Sequence, residues 1–290
     1  MIIHHSSCYN PTPRFNTVKE DMADSIKGKA TICVVNYKTL ENTRLCLRSI
    51  RKFTDYPYEV IVVDNDSQDE SLEYLKSLSW IRLIERKGTK DISGGYAHGA
   101  GLDAGLAHCN TEFFVSMHSD TFVHKAGWLN DLIEYFREDQ NTACIGSGKL
   151  ELAPRPLVWL KQVTDYRTFW RKLTRQPDPK GIYRYYNRTI CSIYKTGILR
   201  REGLSFLPND GLTVGKKLYF ELVDHGYRAV ELSDHVMSGY VWHLAHATEA
   251  ANINDKQRRH KTAKKCTRRF EKIINSDIMQ EIRGDNTLDK

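Results

Sequence analysis

The chain has 290 residues, of which 40% are hydrophobic, and it carries a formal net charge of +7 at pH 7. That length allows one large α/β domain or a nucleotide-binding half joined to a smaller half. No apolar run approaches the ~20 residues that a membrane span needs, and the N-terminus lacks the basic-then-apolar order of a secretory signal, so we expect a soluble, cytoplasmic protein.

The cysteines and the charge distribution narrow the class further. The seven cysteines are scattered, odd in number and never arranged as CxxC, which argues against a disulfide framework and a structural zinc site. Much of the excess positive charge lies at residues 155–188 and 256–272 rather than in a recognisable nucleic-acid-binding module. We therefore expect no nucleic-acid partner.

Strand and helix patterns alternate from residue 30 to residue 136. Apolar, β-branched runs predict strands at 30–35, 58–63, 80–85 and 112–117. Helical spacing predicts helices at 40–53, 70–78, 128–136 and, after a glycine-rich turn, up to residue 107. Strands that alternate with helices predict an α/β fold with a mainly parallel sheet, because parallel neighbours need crossover connections.

The remaining pattern divides the chain into three parts. Residues 1–28 lack periodicity and predict an N-terminal arm or extension. Residues 29–250 predict the main domain, with one half at about 29–150 and a smaller half at about 151–250. Residues 251–290 predict a basic helical tail, in which we expect a solvated helix at 256–272, with weak peripheral contact to an anionic membrane surface as the alternative.

The stretch from residue 159 to residue 194 interleaves aromatic and cationic residues. Aromatic faces stack on sugar rings and arginine binds phosphate or carboxylate, so this stretch fits an acceptor site or a mobile lid for an anionic glycan or a lipid-linked sugar. Ordinary amphipathic packing and binding of single-stranded nucleic acid are the alternatives.

Three polar clusters follow predicted strands at their carboxyl ends. They are Asn36-Tyr37, Asp64 with Asp66, and His118-Ser119-Asp120. Ligands of open parallel sheets bind at that edge, where a carboxylate accepts hydrogen bonds from a base or a ribose and an aromatic ring lies against a base. Residues 64–69 alone also suit a plain turn, but three clusters on one edge favour a nucleotide site.

The ordered segments resemble the family 2 glycosyltransferases, which have the GT-A fold. The segments are VVNY at 34–37, VVDNDSQD at 62–69, GGYAHG at 94–99 and FVSMHSD at 114–120. The resemblance covers about residues 30–245 and is strongest up to about residue 128. It implies an inverting transferase of polysaccharide biosynthesis, with a donor half and an acceptor half. The donor would be a UDP- or dTDP-sugar, and the acceptor a hydroxyl of a glycan, glycolipid or glycoprotein.

The resemblance also implies roles for individual residues. Asn36, Tyr37 and Asp64 would contact the nucleoside. Asp120 takes the last position of the DxD motif and would hold Mg²⁺ or Mn²⁺ against the diphosphate. The other residues expected to line the donor site are Asp66, Gly94, Gly95 and Ser119. We also expect the cations Arg86, Lys87 and Lys90 near the leaving diphosphate.

The metal motif departs from the family pattern, because its first acid is here His118. Imidazole suits Mn²⁺ and softer ions better than Mg²⁺, which prefers oxygen ligands. A polar strand-end residue that only hydrogen-bonds a neighbour is the alternative for His118. A late metal ligand is expected from the family, with His243 as the first candidate and His246 as the second.

The catalytic acid pair of the family is also missing. Its place, ahead of a predicted helix at 216–225, falls on Val214 and Gly215. The nearest carboxylate is Asp210, which is our candidate for the base that deprotonates the acceptor hydroxyl. A turn residue in an Asn-Asp-Gly sequence is the alternative for Asp210, and a catalytically inactive nucleotide-sugar-binding protein is the alternative for the whole chain. A nucleic-acid-binding module is a more remote one.

Overall fold

The computed structural model describes residues 25–89, 93–148, 150, 186–208, 213–244 and 271–290. The strands are β1 (Ile26–Asn36), β2 (Tyr58–Asn65), β3 (Ile81–Arg86), β4 (Thr111–His118), β5 (Thr121–Val123), β6 (Thr142–Ser147), β7 (Cys191–Lys195), β8 (Arg228–Leu232) and β9 (Val241–His243). The helices are α1 (Leu40–Phe53), α2 (Glu70–Ser77), α3 (Gly94–Ala107), α4 (Trp128–Glu138), α5 (Thr196–Arg201), α6 (Lys216–Asp224), α7 (Asp234–Met237) and α8 (Asp277–Gly284), followed by a 3₁₀ turn at Asn286–Asp289.

A seven-stranded sheet with the order β3-β2-β1-β4-β7-β6-β8 forms the centre of the fold. The first four strands in the chain pair in parallel, β7 runs antiparallel to both β4 and β6, and β8 is parallel to β6. The predicted α/β fold with a mainly parallel sheet is confirmed. The sequence pattern did not predict β5, β6, β7 or β9: β5 and β9 have only three residues each, and β6 is rich in small residues with weak strand preference.

Helices cover both faces of this sheet, which explains the apolar strands. In β1, Ile32 and Val34 face the core cluster that includes residues of α1, α4 and α8. The alternate residues Cys33 and Val35 face a second cluster with residues of α3, α5 and α6. Side chains alternate between the faces of a strand, so a strand buried on both sides reads as one continuous apolar run.

The small residues of α3 let this helix approach its neighbours closely. A Cβ atom at Gly99 would lie 2.7 Å from the carbonyl oxygen of Phe206, and one at Gly101 would lie 3.0 Å from the methyl groups of Val35. Larger side chains there would push the helix off the sheet. The close packing brings the first turn of α3 to the carboxyl ends of the central strands.

A separate two-stranded ladder joins β5 to β9 beyond the end of β4. Its antiparallel register places Thr121 opposite His243 and Val123 opposite Val241. The backbone N–H of Leu244 donates to the carbonyl of Asp120 at 3.1 Å, which extends the pairing by one step. The ladder thus fixes the chain around residue 243 beside the last residues of the β4 turn.

The C-terminal residues 271–290, which fall within the predicted basic tail, pack on α1 and α2. The Arg48 side chain is 4% exposed, and its Nε donates to Oδ1 of Asp289 at 2.8 Å. Arg48 also donates to Asn286 and to main-chain carbonyls at the end of α8, while the Tyr74 hydroxyl donates to Asp289. No helix among the described residues is long and apolar enough to cross a membrane.

The ion pair between Arg48 and Asp289 predicts a dependence of stability on C-terminal docking. Replacing Arg48 by Met should lower the free energy of unfolding by about 3 kcal/mol, because Asp289 and the carbonyls at the end of α8 lose their donor. Partial burial opposes ionisation of Asp289, but hydrogen bonds from Arg48 and Tyr74 outweigh it and hold the pKa of Asp289 below its ordinary value. The stabilisation by the ion pair between Arg48 and Asp289 should therefore persist above about pH 4 and decrease at lower pH.

Urea unfolding of matched arginine variants tests this prediction. Arg283→Met is the control, because its 3.2 Å ion pair with Glu41 is exposed, and exposed pairs contribute less than about 1 kcal/mol. An equal loss of unfolding free energy in both variants would contradict the stabilising role given to the ion pair between Arg48 and Asp289.

Candidate functional site

The structure brings the three polar clusters together at one edge of the sheet. The side-chain amide of Asn36 donates to Oδ1 of Asp64 at 2.7 Å, which joins the ends of β1 and β2. The hydroxyl of Thr39, next to the first cluster, lies 3.4 Å from that of Ser119 beyond β4. The convergence expected from the parallel sheet is thereby confirmed.

Asn36 is the buried centre of this edge. Its amide nitrogen also lies 2.9 Å from the Ser71 hydroxyl, and its amide oxygen accepts from Thr43 at 2.7 Å. The side chain has no exposed surface. In this structure Asn36 therefore holds strand ends together, and its contact with a nucleoside stays a prediction.

The turn after β2 presents its two acids differently. Asp64 is 1% exposed and accepts from the backbone N–H of Ser67 at 3.0 Å. Asp66 has a φ of 61°, and its Oδ2 accepts from the backbone N–H of Gly88 at 3.2 Å. The left-handed conformation is uncommon for residues other than glycine, so the turn holds a strained backbone at the site.

Two of the predicted donor-site elements are open to solvent. Tyr37 is half-exposed, and Gly94 and Gly95 form the exposed start of α3. Arg86, by contrast, donates to the side chain of Asn65 at 2.7 Å and to a carbonyl of α3, so it ties this helix to β2. Lys90, another of the predicted cations, lies outside the described residues.

The three predicted metal ligands meet in space. His118, Asp120 and His243 each offer an atom, and these atoms lie within 4.8 Å of one another. Oδ1 of Asp120 lies 3.8 Å from Nδ1 of His118 and 3.3 Å from Nε2 of His243. Asp120 and His243 are buried, whereas the side chain of His118 is 31% exposed and leaves one side open.

The state of His243 fits a cation site. Both of its ring nitrogens are buried, and neither makes a hydrogen bond in the described part of the chain, although Nε2 lies 3.3 Å from Oδ1 of Asp120. A cation between Asp120 and His243 would give this ring a ligand-type partner, and a buried polar nitrogen left without one costs about 1–3 kcal/mol. Two imidazoles and one carboxylate suit Mn²⁺ and related transition ions better than Mg²⁺.

His98 and Thr189 complete the surroundings of His118, and neither was predicted. The His98 ring lies edge-on to the His118 ring, with 4.7 Å between centroids. Burial lowers the pKa of His98 to about 4, against the opposing charge of Asp120. Burial and then His98 lower the pKa of His118 well below its ordinary value. Both rings are therefore neutral at pH 7.

Sequence reasoning had only weak signals for these two residues. His98 stands in the glycine-rich segment that carries the family resemblance, and Thr189 ends an Asn-x-Thr sequence in the aromatic and cationic stretch at 159–194. The predicted base Asp210 and the second late histidine, His246, lie outside the described residues.

The structure describes Val214 and Gly215, the two residues at which the family pattern has its acid pair. Gly215 has a φ of 74° and precedes α6, and Val214 packs 3.8 Å from the position that a Cβ of Gly95 would take. Val214 and Gly215 therefore put no carboxylate at this position.

Comparison with known proteins gives a family and a fold. The sequence model described as "Glycosyl transferase family 2" matches residues 31–203. The mannosyltransferase PcManGT from Pyrobaculum calidifontis, solved with GDP-Man and Mn²⁺, has a TM-score of 0.52 and 18% identity, over 89% of this chain and 69% of that one. Residues 1–349 of TarS from S. aureus have a TM-score of 0.50 and 15% identity, over 89% and 75%. These likenesses confirm the GT-A type fold. No curated protein matches the sequence.

The Asn36 network predicts a specific sensitivity at the sheet edge. Asn36→Asp places a second carboxylate against Asp64 and removes the amide donor, so the free energy of unfolding should fall by about 3 kcal/mol in urea titrations.

The matched control is Asn130→Asp, since Asn130 also donates to a carboxylate, that of Asp55 at 2.9 Å, but is exposed. The control should lose less than about 1 kcal/mol. A loss as large as that of Asn36→Asp would contradict the role given to the buried network.

Proposed function

The chain belongs to glycosyl transferase family 2, and on this premise we propose that it moves a sugar from a nucleotide-sugar donor to an acceptor hydroxyl with inversion at the anomeric carbon. The acceptor class is a glycan, glycolipid or glycoprotein. The observation that carries the proposal is the meeting of the Asp64 turn with His118, Asp120 and His243 at one sheet edge.

The donor site would be shared between open and buried groups. The half-exposed ring of Tyr37 is available to lie against a base, while the strained turn at Asp66 and the exposed start of α3 border the same edge. We propose a UDP- or dTDP-sugar as donor. A protein of similar fold is solved with GDP-Man and Mn²⁺, so GDP-sugars belong in the donor panel of the test.

His118, Asp120 and His243 would hold a divalent ion, with Mn²⁺ preferred. When bound, such an ion supplies positive charge that stabilises the departing nucleoside diphosphate. Asp120 contributes the one negative charge of the set, and the neutral imidazoles contribute nitrogen lone pairs. The open side of His118 leaves access for the diphosphate.

Asp210 is proposed as the general base. It would accept the proton of the acceptor hydroxyl as that oxygen bonds to the anomeric carbon. The bond from this carbon to the diphosphate breaks, and the nucleoside diphosphate leaves with the electron pair. Support comes from position, because Val214 and Gly215 offer no carboxylate where the family pattern has its acids.

A binding protein without transferase activity is the second candidate. The observation that favours it is again the pair Val214 and Gly215, which removes the family's acid from the start of α6. Such a protein would bind the donor without releasing nucleoside diphosphate. Release of nucleoside diphosphate separates the two functions.

Release of nucleoside diphosphate tests the transferase directly. With Mn²⁺ and acceptor present, one donor from a panel of UDP-, dTDP- and GDP-sugars should give turnover. Asp210→Asn should lower kcat at least about 100-fold because the base is lost, with donor affinity unchanged. Asp224→Asn, at the exposed end of α6, should leave both values as they are.

Donor binding without release across broad donor and acceptor panels would favour the binding protein. If Asp210→Asn turned over as fast as an active wild type, Asp210 would be excluded as the base, but the transferase function would not be excluded.

Metal preference forms a separate prediction. Titration calorimetry without nucleotide should show tighter binding of Mn²⁺ than of Mg²⁺, and His118→Asp should narrow this difference by supplying an oxygen ligand. His243→Ala should weaken both ions. The exposed residue His108, replaced by Ala, is the control and should change neither affinity. An unchanged preference in His118→Asp would exclude His118 as a ligand.

A further inference from the structure

An imidazole in a ligand position needs an arrangement that a carboxylate does not. A neutral histidine carries its proton on one ring nitrogen, and only the other nitrogen has a lone pair to offer. Metal-bound histidines commonly donate their second ring N–H to a neighbouring acceptor, which fixes the proton and the orientation of the ring. Because His118 stands where the family pattern has an acid, its ring N–H needs an acceptor that leaves the other ring nitrogen free for a cation.

One hydroxyl lies between the rings of His118 and His98. Oγ1 of Thr189 is 3.3 Å from Nε2 of His118 and 3.4 Å from Nε2 of His98. A hydroxyl has one hydrogen, so it donates to one of these nitrogens and accepts from the other. Nδ1 of His118 points the other way, 3.8 Å from Oδ1 of Asp120.

The two directions of this chain have opposite consequences. If His98 donates and His118 accepts, the proton of His118 sits on Nδ1, and that nitrogen has no lone pair for a cation beside Asp120. If His118 donates and His98 accepts, Nδ1 of His118 is free to coordinate. Only the second direction is compatible with the proposed metal site.

We propose that Thr189 is a positioning residue that accepts the Nε2 proton of His118 and donates to Nε2 of His98, so that Nδ1 of His118 presents its lone pair beside Asp120. This inference rests on the metal site of the proposed function. In this arrangement Thr189 and His98 support the metal site by fixing the proton position and the orientation of the His118 ring.

The packing of Thr189 holds its hydroxyl in place. The residue is 3% exposed, and its methyl group lies 2.8 Å from where a Cβ of Gly215 would be. A β-branched side chain enclosed in this way has little freedom to turn. A side chain at position 215 would collide with this methyl group, so Gly215 leaves room for the Thr189 side chain beside His118.

The test is metal binding by full-length Thr189 variants without nucleotide. Thr189→Val keeps the shape but removes the hydroxyl, and it should weaken Mn²⁺ and Co²⁺ binding about 10- to 100-fold and alter the visible spectrum of bound Co²⁺. Thr189→Ser keeps the hydroxyl and should restore both readouts. Wild-type affinity and spectrum in Thr189→Val, with a folded protein by circular dichroism, would overturn the proposal.

A double-mutant cycle separates positioning from general damage. In the His118→Asp background the ligand has no tautomer to fix, so adding Thr189→Val should leave the metal affinity unchanged. An equal loss in both backgrounds would show that Thr189 acts through packing alone and would overturn the proposal.

Failure of the metal site itself has a different signature. If the wild type binds neither ion, the proposed metal site is wrong whatever Thr189 does. The imidazole ¹⁵N spectrum then tests the hydrogen-bond chain alone, because His118 should carry its proton on Nε2 and Thr189→Val should shift the signals of His98 and His118. Unchanged ¹⁵N signals would overturn the inference in that case as well.

Discussion

The short ladder between β5 and β9 is the interaction on which the site depends. By pairing Thr121 with His243, it sets an imidazole from late in the chain against the carboxylate that ends the β4 turn. The ladder is only three residues long on each side, and main-chain hydrogen bonds rather than side-chain identity define its register. A slip by one residue would turn the His243 side chain to the opposite face of the ladder.

The rest of the edge is organised around buried amide and hydroxyl groups. Asn36 binds the ends of β1 and β2, and the small residues of α3 bring His98 against His118. These groups are buried among their partners, so they form a rigid support. The more exposed surfaces, those of Tyr37 and of the first residues of α3, are the ones available to a nucleotide.

The two departures from the family pattern belong to one local arrangement. His118 places nitrogen where the family has a carboxylate, and Thr189 lies between His118 and Gly215. An acid at position 215 would meet the methyl group of Thr189. The contacts of Thr189 thus connect the His118 ring to the residue that precedes α6.

The order of β1 to β4 and of the helices up to residue 136, and the placement of Asp64 and Asp120 at strand ends, followed from the sequence by itself. Both are local: side-chain periodicity reports burial, and a polar residue after an apolar run marks a strand end. The family resemblance further selected His243 from the histidines of the chain. The role of Asp210 remains a prediction of the same kind.

Tertiary structure alone decided the insertion of β7 between β4 and β6, the docking of Asp289 on Arg48, and the meeting of His98, Thr189 and His118. Each joins residues far apart in the chain, and each depends on strand register or close helix packing. Local composition does not predict such contacts, because the same short segments are compatible with many partners until the whole sheet is assembled.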